Sequence, residues 1–303
     1  MQRYYSLSDY CKEEYGKKLY RLSLDAGFTC PNRDGKKGVG GCIFCSEQGS
    51  GDFSFGEEDI SERLSSAKAL LGKKAKNCGY IAYFQSYTNT YASEEALRKI
   101  YSPYLKREDI DVISIATRPD CIDAGVLKVL LEIAEKKPLW VELGLQTADD
   151  KTGKLINRCF LTEEYFLAAQ KLLKAGIKVI THVIIGLPGE TEEQLYKTID
   201  AVNKAGSWGI KLQLLHVLKN TQLYEMYKKG EYTPLSKERY FKLLSRALMR
   251  LKPKTVIHRL TGDGDKKKLV SPLWSADKKR VLNDMNRYFT EHDVVEGSLY
   301  EEE

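Results

Sequence analysis

The 303-residue chain predicts an α/β fold, an open (βα)6 partial TIM barrel with a short C-terminal extension. Short apolar runs rich in Val, Ile and aromatics alternate with segments of helical period, which is the pattern of a parallel sheet covered by crossover helices. Six such units can be counted, fewer than a closed barrel needs. Composition agrees: 42% hydrophobic and 30% charged residues suit one large globular domain.

In chain order, the expected strands are "LYRLSLDAG" (19–27), "YIAYFQ" (80–85), "DVISIATRPD" (111–120), "PLWVELGLQT" (138–147), "KVITHVIIGLP" (178–188) and "GIKLQLLHVL" (209–218). Between and after them, helices are expected near 57–71, 93–106, 123–136, 162–175, 191–205 and 237–251. "TEEQ" from Thr191 is a capping box, and Gly176 ends the helix opened at Thr162. "VIHRL" (256–260) and a last helix near 277–290 are expected as an appended element. The expected division is thus an N-terminal segment (1–18), a core barrel (19–251) and a basic extension with an acidic tail (252–303).

The beginning "MQRYYSLSDYCKEEYGKKLY" is charged throughout and has no apolar run of signal-peptide length, and no segment approaches a membrane span. A cytoplasmic protein without membrane contact is expected. An odd total of 7 cysteines there fits free thiols or metal ligands better than disulfides.

Three of those cysteines, Cys30, Cys42 and Cys45, lie in "CPNRDGKKGVGGCIFC" with spacing C-x11-C-x2-C. They follow the first strand, on the sheet edge where parallel folds keep their chemistry. A structural zinc site would need a fourth ligand, and Cys11, Cys78, Cys121 and Cys159 are scattered. A cluster that keeps one metal position open needs only three thiolates, and spacing alone leaves zinc and iron–sulfur both open. The "GVGG" glycines let the loop curl around a ligand, and Phe44 places an aromatic beside it.

These residues, with "YFQSYTNTYA", "VELGLQT", "HVIIGLPGET" and "HRLTGDG", resemble the radical S-adenosylmethionine (SAM) superfamily, and within it the YhcC/YtqA-type group. That group is related to the elongator catalytic subunit and to oxygen-independent coproporphyrinogen oxidase. The resemblance implies a 4Fe-4S cluster on Cys30, Cys42 and Cys45, its remaining iron taken by S-adenosyl-L-methionine. It implies cofactor contacts from Phe44, from Gln85, Ser86 and Tyr87, and from Gln146 and Arg158, which would grip the cofactor's carboxylate and ribose. His182 is expected either against the adenosine or filling the barrel, and "GLPGE" (186–190) beside the adenine. This sequence lacks the glycines that relatives carry after the second strand. No catalytic acid or base is assigned.

Thr117, Arg118, Asp120 and Glu142 are expected at strand ends as substrate contacts or internal ion pairs, with Arg118 or Arg158 neutralising Glu142. Between Lys252 and Arg287, ten Lys or Arg stand against four Asp, a segment suited to RNA or to an ordinary solvated face. Tyr83, Tyr87 and Tyr91 are aromatic candidates for stacking a splayed base, or core. The resemblance implies a radical SAM enzyme of oxidoreductase or lyase type, fed by a reducing donor such as flavodoxin or ferredoxin. Its expected partner is tRNA, with wobble-uridine modification from a 5-carboxymethylaminomethyl to a 5-aminomethyl side chain. The chain's length leaves no expected room for an acetyltransferase domain, and it has no second cysteine trio. The alternatives are a radical SAM oxidoreductase on a small metabolite and a non-catalytic zinc-bearing RNA-binding module.

Overall fold

The structure is a computed structural model, and it describes residues 3–47, 49, 54, 59–71, 78–262 and 264–302. Seven strands form one parallel sheet: β1 (Leu19–Leu24), β2 (Gly79–Phe84), β3 (Val112–Thr117), β4 (Leu139–Gln146), β5 (Lys178–Ile185), β6 (Gly209–Leu214) and β8 (Val256–Arg259). A two-stranded antiparallel ribbon joins β7 (Val217–Leu218) to β9 (Leu269–Ser271). The helices are α1 (Leu7–Tyr15), α2 (Ile60–Ala69), α3 (Glu94–Leu105), α4 (Ala124–Ala134), α5 (Asp150–Leu155), α6 (Thr162–Lys174), α7 (Glu192–Lys204), α8 (Gln222–Lys228), α9 (Lys237–Arg250) and α10 (Lys278–Glu291). Strand order follows chain order with β8 beside β6, so the sheet is an open partial barrel.

One expectation changes here. Residues 256–260 were assigned to an appended element, but Val256–Arg259 pairs in parallel with β6 as a seventh strand. The run is only 4 residues long, too short for its periodicity to separate it from a loop. The N-terminal segment also joins the barrel: the Ile257 amide donates to the Tyr5 carbonyl (2.8 Å), and Tyr10 of α1 packs against Trp140 and Trp208. The start of the helix expected from residue 57 lies outside the described residues, and α2 is described from Ile60.

The strands alternate with period two. On β4, Leu139, Val141, Leu143 and Leu145 face the covering helices in the main core, while Trp140 belongs to a second core inside the barrel. Helix starts are capped by side chains where sequence chemistry favours it: Ser93, Asp123, Thr191 and Ser236 each accept an amide hydrogen bond in the first turn. The barrel's lower interior is sealed by Ile81, Val112, Trp140, Ile180 and Val256 with Tyr10, all buried.

Candidate active site

At the carboxyl ends of the strands lies a cavity of about 250 Å³, and Cys30, Cys42 and Cys45 all line it. Their loop is held by a small set of contacts. The Arg33 amide donates to the Cys30 carbonyl (2.8 Å), and the Cys45 amide to the Cys42 carbonyl (3.0 Å), so both ends of the motif are tight turns. The Asn157 side chain donates to the Val39 (3.1 Å) and Gly41 (2.7 Å) carbonyls, and the Ile43 amide donates to Ile156 (3.1 Å). Gly38 packs closely: a Cβ there would lie 2.2 Å from Asn32 Oδ1 and 2.7 Å from Cys159 Sγ, so both side chains would have to shift. Asn32 itself donates to Cys42 Sγ at 3.7 Å. Asn32 and Asn157 carry no motif signal, and nothing short of the fold reveals them as the clamp.

The electrostatics separate the two cysteines of the C-x2-C pair. A hydrogen bond shared with Cys42, then the Arg33 guanidinium, holds the Cys45 thiol below the ordinary range, while the same pairing raises Cys42. Cys121 is pushed up to about 12 and Cys11 to about 11 by burial, the marks of inert packing thiols. Among the described residues, no three His, Cys, Asp or Glu side chains gather closely enough to hold a single metal ion. A cubane takes its thiolates at separate corners, and three soft donors in a cationic loop fit one.

Phe44, Gln85, Tyr87, Gln146, Arg158 and His182 line the same cavity. Ser86 does not: it is fully buried, and its hydroxyl has no hydrogen-bond partner among the described residues. Gln85 donates to Ser54 Oγ (3.2 Å). Tyr87 has φ 58°, donates its hydroxyl to the Glu47 carbonyl and lies under the Arg33 guanidinium, 5.3 Å from ring centroid to Cζ. Gln146 sits at a bulge between β4 and β5 with φ 64°, its side-chain amide lying against the Leu145 and Gly144 carbonyls, to which its nitrogen, once turned toward them, would donate (2.9 and 3.1 Å).

Arg158 departs from expectation. It was expected to grip the cofactor's carboxylate, yet its guanidinium is fully engaged within the protein. Nε donates to Phe160 O (3.1 Å), Nη1 to the Leu145 (2.9 Å) and Thr147 carbonyls, and Nη2 to Asp150 (2.7 Å) and Thr162 (3.3 Å). All five donors are used, so Arg158 ties the end of β4 to the start of α6 and has none left for a ligand. Arg118 pairs bidentately with Asp120 (2.9 Å for both bonds), and Thr117 bonds Thr90 (2.6 Å).

Neither arginine neutralises Glu142. That carboxylate, fully buried, contacts Lys211 Nζ and accepts from His182 Nε2 (2.6 Å) and Ser114 Oγ (2.9 Å). Burial alone would raise it, but Lys211, His182 and Arg21 hold it well below the usual range. Burial pulls the Lys211 ammonium down, against Glu142's upward pull. The ion pair is the favoured form, because a neutral amine would leave the buried carboxylate uncompensated. His182 is pushed down to about 4, by burial first and then Lys211, so it is a neutral imidazole with its proton on Nε2. Tyr83, considered above as a stacking platform, is buried in the barrel with its hydroxyl accepting from Lys211 (2.9 Å).

The basic segment is not one patch. Lys252 and Lys254 precede β8, on the sheet edge opposite the cysteine loop, whereas Lys266, Lys267 and Lys268 follow it; Arg259 lines the cavity. Asp263 of the segment and of "HRLTGDG" lies outside the described residues.

A half-barrel that opens its strand ends onto a three-cysteine loop defines a class of cluster-dependent enzyme folds. The family comparison is specific: residues 30–202 match the radical SAM superfamily model and 207–291 the radical SAM C-terminal domain, and the chain belongs to the radical SAM superfamily. It is 40% identical over 301 residues to YtqA of Bacillus subtilis, covering 99% of this chain and 94% of YtqA. It is 35% identical over 286 residues to YhcC of Escherichia coli K12, covering 94% and 92%. The group is therefore the YhcC type. Its fold is shared with Elp3 of Methanocaldococcus infernus at TM-score 0.69 and 18% identity, over 92% of this chain and 64% of that one. No helix among the described residues is long and apolar enough to cross a membrane.

Proposed function

We propose that this radical SAM enzyme modifies the wobble-uridine side chain of tRNA, converting a 5-carboxymethylaminomethyl group to a 5-aminomethyl group. Loss of a hydrogen atom and one electron from the N–CH2 carbon gives an imine, and water breaks its C–N bond. The two carbons leave as glyoxylate, and S-adenosyl-L-methionine takes up the two electrons as it is cleaved to methionine and 5'-deoxyadenosine. Cys30, Cys42 and Cys45 would hold a 4Fe-4S cluster. With S-adenosyl-L-methionine bound, such a cluster supplies a 5'-deoxyadenosyl radical that abstracts hydrogen from an unactivated C–H bond. Phe44, Gln85, Tyr87 and Gln146 line the space for the adenosyl group, and Arg33 and Asn32 support the thiolates. Ser86 and Arg158 would act through the wall's shape, one buried and the other saturated with protein acceptors.

The observation that carries the substrate reading is the rim of the cavity. Arg33 stands over Tyr87 (5.3 Å), both lining the cavity, and Lys36 of the same cysteine loop stands over Tyr91 (5.2 Å), both tyrosines half-buried, while Lys37 pairs with Asp120 (3.8 Å). Paired cations and aromatic rings suit a splayed, single-stranded base and its phosphates. A match of 31% identity over 138 residues to the tRNA uridine(34) acetyltransferase of Methanocaldococcus jannaschii, 45% of this chain, supports the same substrate class. Comparing tRNA nucleosides from cells with and without the gene tests it. Loss of the aminomethyl-derived uridines with accumulation of 5-carboxymethylaminomethyluridine is expected, and an unchanged nucleoside profile overturns the reading.

A further inference from the structure

One side of the cavity wall is formed by β5 and β6. Above the apolar base, the inward positions are His182 and Ile184 on β5 and Lys211 and Gln213 on β6, with His182 in register with Lys211 and Ile184 with Gln213. All four line the cavity. Lys211 is engaged by Glu142 and by the Tyr83 hydroxyl. His182 and Gln213 keep capacity to spare. The His182 side chain is 18% exposed, and among the described residues its ring bonds through Nε2 alone. The half-buried Gln213 amide makes no hydrogen bond among them. An amide set into an apolar strand, facing a cavity and without a protein partner, points to a partner from outside.

The tautomer of His182 is fixed from behind. Glu142 is a carboxylate held by Lys211 and Ser114, and a carboxylate can only accept, so the imidazole must present its N–H from Nε2. Nδ1 is then a lone-pair acceptor, with no hydrogen bond among the described residues. Burial, and then Lys211, push the ring down to about 4, so turning Nδ1 into a donor at neutral pH is unfavourable. Gln213 lies one strand over and two residues up, about 8 Å away at the backbone by strand spacing and rise, a gap its side chain partly spans. The wall therefore offers one fixed acceptor, one amide donor near it, and Ile184 as an apolar surface for a flat ring.

We propose that His182 and Gln213 read the imide edge of a uracil ring, with His182 Nδ1 accepting from N3–H and the Gln213 amide donating to a flanking carbonyl. The assignment deepens the function proposed above and rests on it for the identity of the ring. Uracil sets an N–H between two carbonyls, whereas cytosine sets a lone pair at N3 against the lone pair of Nδ1, and a site built on a fixed acceptor rejects it. Glu142 is a positioning residue here: it holds the tautomer and touches no base. With the imide against β5 and β6, C5 on the far side of the ring turns away from them, into the space that the cysteines also line. Adenine carries a comparable donor and acceptor in N6–H and N1, but the adenosyl group is allotted to the Phe44 end of the cavity, so adenosine is the competitor that tests the assignment.

The test needs neither tRNA nor a loaded cofactor. The full chain as purified is titrated with uridine, 3-methyluridine, cytidine and adenosine while the ring nitrogens of its 4 histidines are followed by NMR. At pH 7 the Nδ1 resonance of His182 is expected at the position of an unprotonated nitrogen, moving upfield and saturably with uridine. Affinity should be at least about tenfold weaker for 3-methyluridine and cytidine, the effect of leaving a desolvated acceptor unpaired. Gln213→Leu keeps the volume and removes the donor; it should fold with wild-type circular dichroism and bind uridine about fivefold more weakly. A protonated Nδ1, no saturable shift with uridine, equal affinity for 3-methyluridine or cytidine, tighter binding of adenosine, or unchanged affinity in folded Gln213→Leu each overturns the proposal. If uridine binds as expected while tRNA nucleosides do not change on gene deletion, the uracil reader stands and the tRNA reading falls. If the nucleosides change but uridine leaves His182 unmoved, the reverse holds.

Discussion

The two ends of one barrel are built from opposite materials although the same strands supply both. Along β4 the inward positions read Trp140, Glu142, Gly144 and Gln146: an aromatic packed at the base, a buried carboxylate, a glycine against which the Gln146 side chain folds, and that polar amide at the mouth. The base buys rigidity through close packing. The upper end gives up packing for charge and room, and it can do so because the base and the outer helices already hold the sheet. Stability and chemistry are thus separated by one or two residues on a single strand, and substitutions should sort by height.

The largest contrast is expected between cysteines. Cys42→Ala should reduce bound iron and 5'-deoxyadenosine formation to background after anaerobic reconstitution, while Cys11→Ala, at the buried base, should leave iron content unchanged. Equal iron loss in both would erase the distinction. Next, Glu142→Gln strands Lys211 and should cost about 3–5 kcal/mol in urea unfolding, with Lys211→Met added to it restoring most of the loss. Trp140→Ala is expected to cost a similar amount, about 3–5 kcal/mol, but through a cavity at the base, so no second charge change should rescue it. A pH series sharpens the comparison further. His182 stays neutral in the fold down to about pH 4 and protonates in the unfolded chain near 6.5. The unfolded state therefore binds more protons in that window, and this residue's contribution to stability is lost as pH falls through it, by up to about 3 kcal/mol. Glu190 and Glu296, raised to about 7 by burial, push the other way between 4.5 and 7. The quantity to measure is therefore wild type minus His182→Asn, which should worsen on acidification. The smallest effect is Gly38→Ala, whose Cβ crowds Asn32 and should lower iron loading without abolishing it.

Much of this was legible in the sequence because it rests on local patterns. The six longer strands and the cysteine spacing are periodic or local, and the family resemblance read from the motifs agrees with the superfamily match. The seventh strand was not, since four residues carry too little pattern, and neither was helix α5, only 6 residues long. Glu142 does form the internal ion pair expected of it, but its partner, like the protein contacts of Arg158, was not legible for a different reason. An arginine in a cofactor motif and an arginine saturated by carbonyls look alike in a string, and the partner of Glu142 is Lys211, 69 residues away. Lys211 in "GIKLQLL" was passed over because a lysine in an apolar run reads as a solvated exception, whereas the fold turns it inward. Pairings across strands are set by register, and register appears only once the sheet is assembled.

Anaerobic reconstitution with iron and sulfide, followed by S-adenosyl-L-methionine and dithionite, tests the central claim most directly. The account predicts a brown protein that releases 5'-deoxyadenosine and loses both properties when Cys30, Cys42 or Cys45 is replaced. A colourless protein that retains zinc and leaves S-adenosyl-L-methionine intact would contradict it.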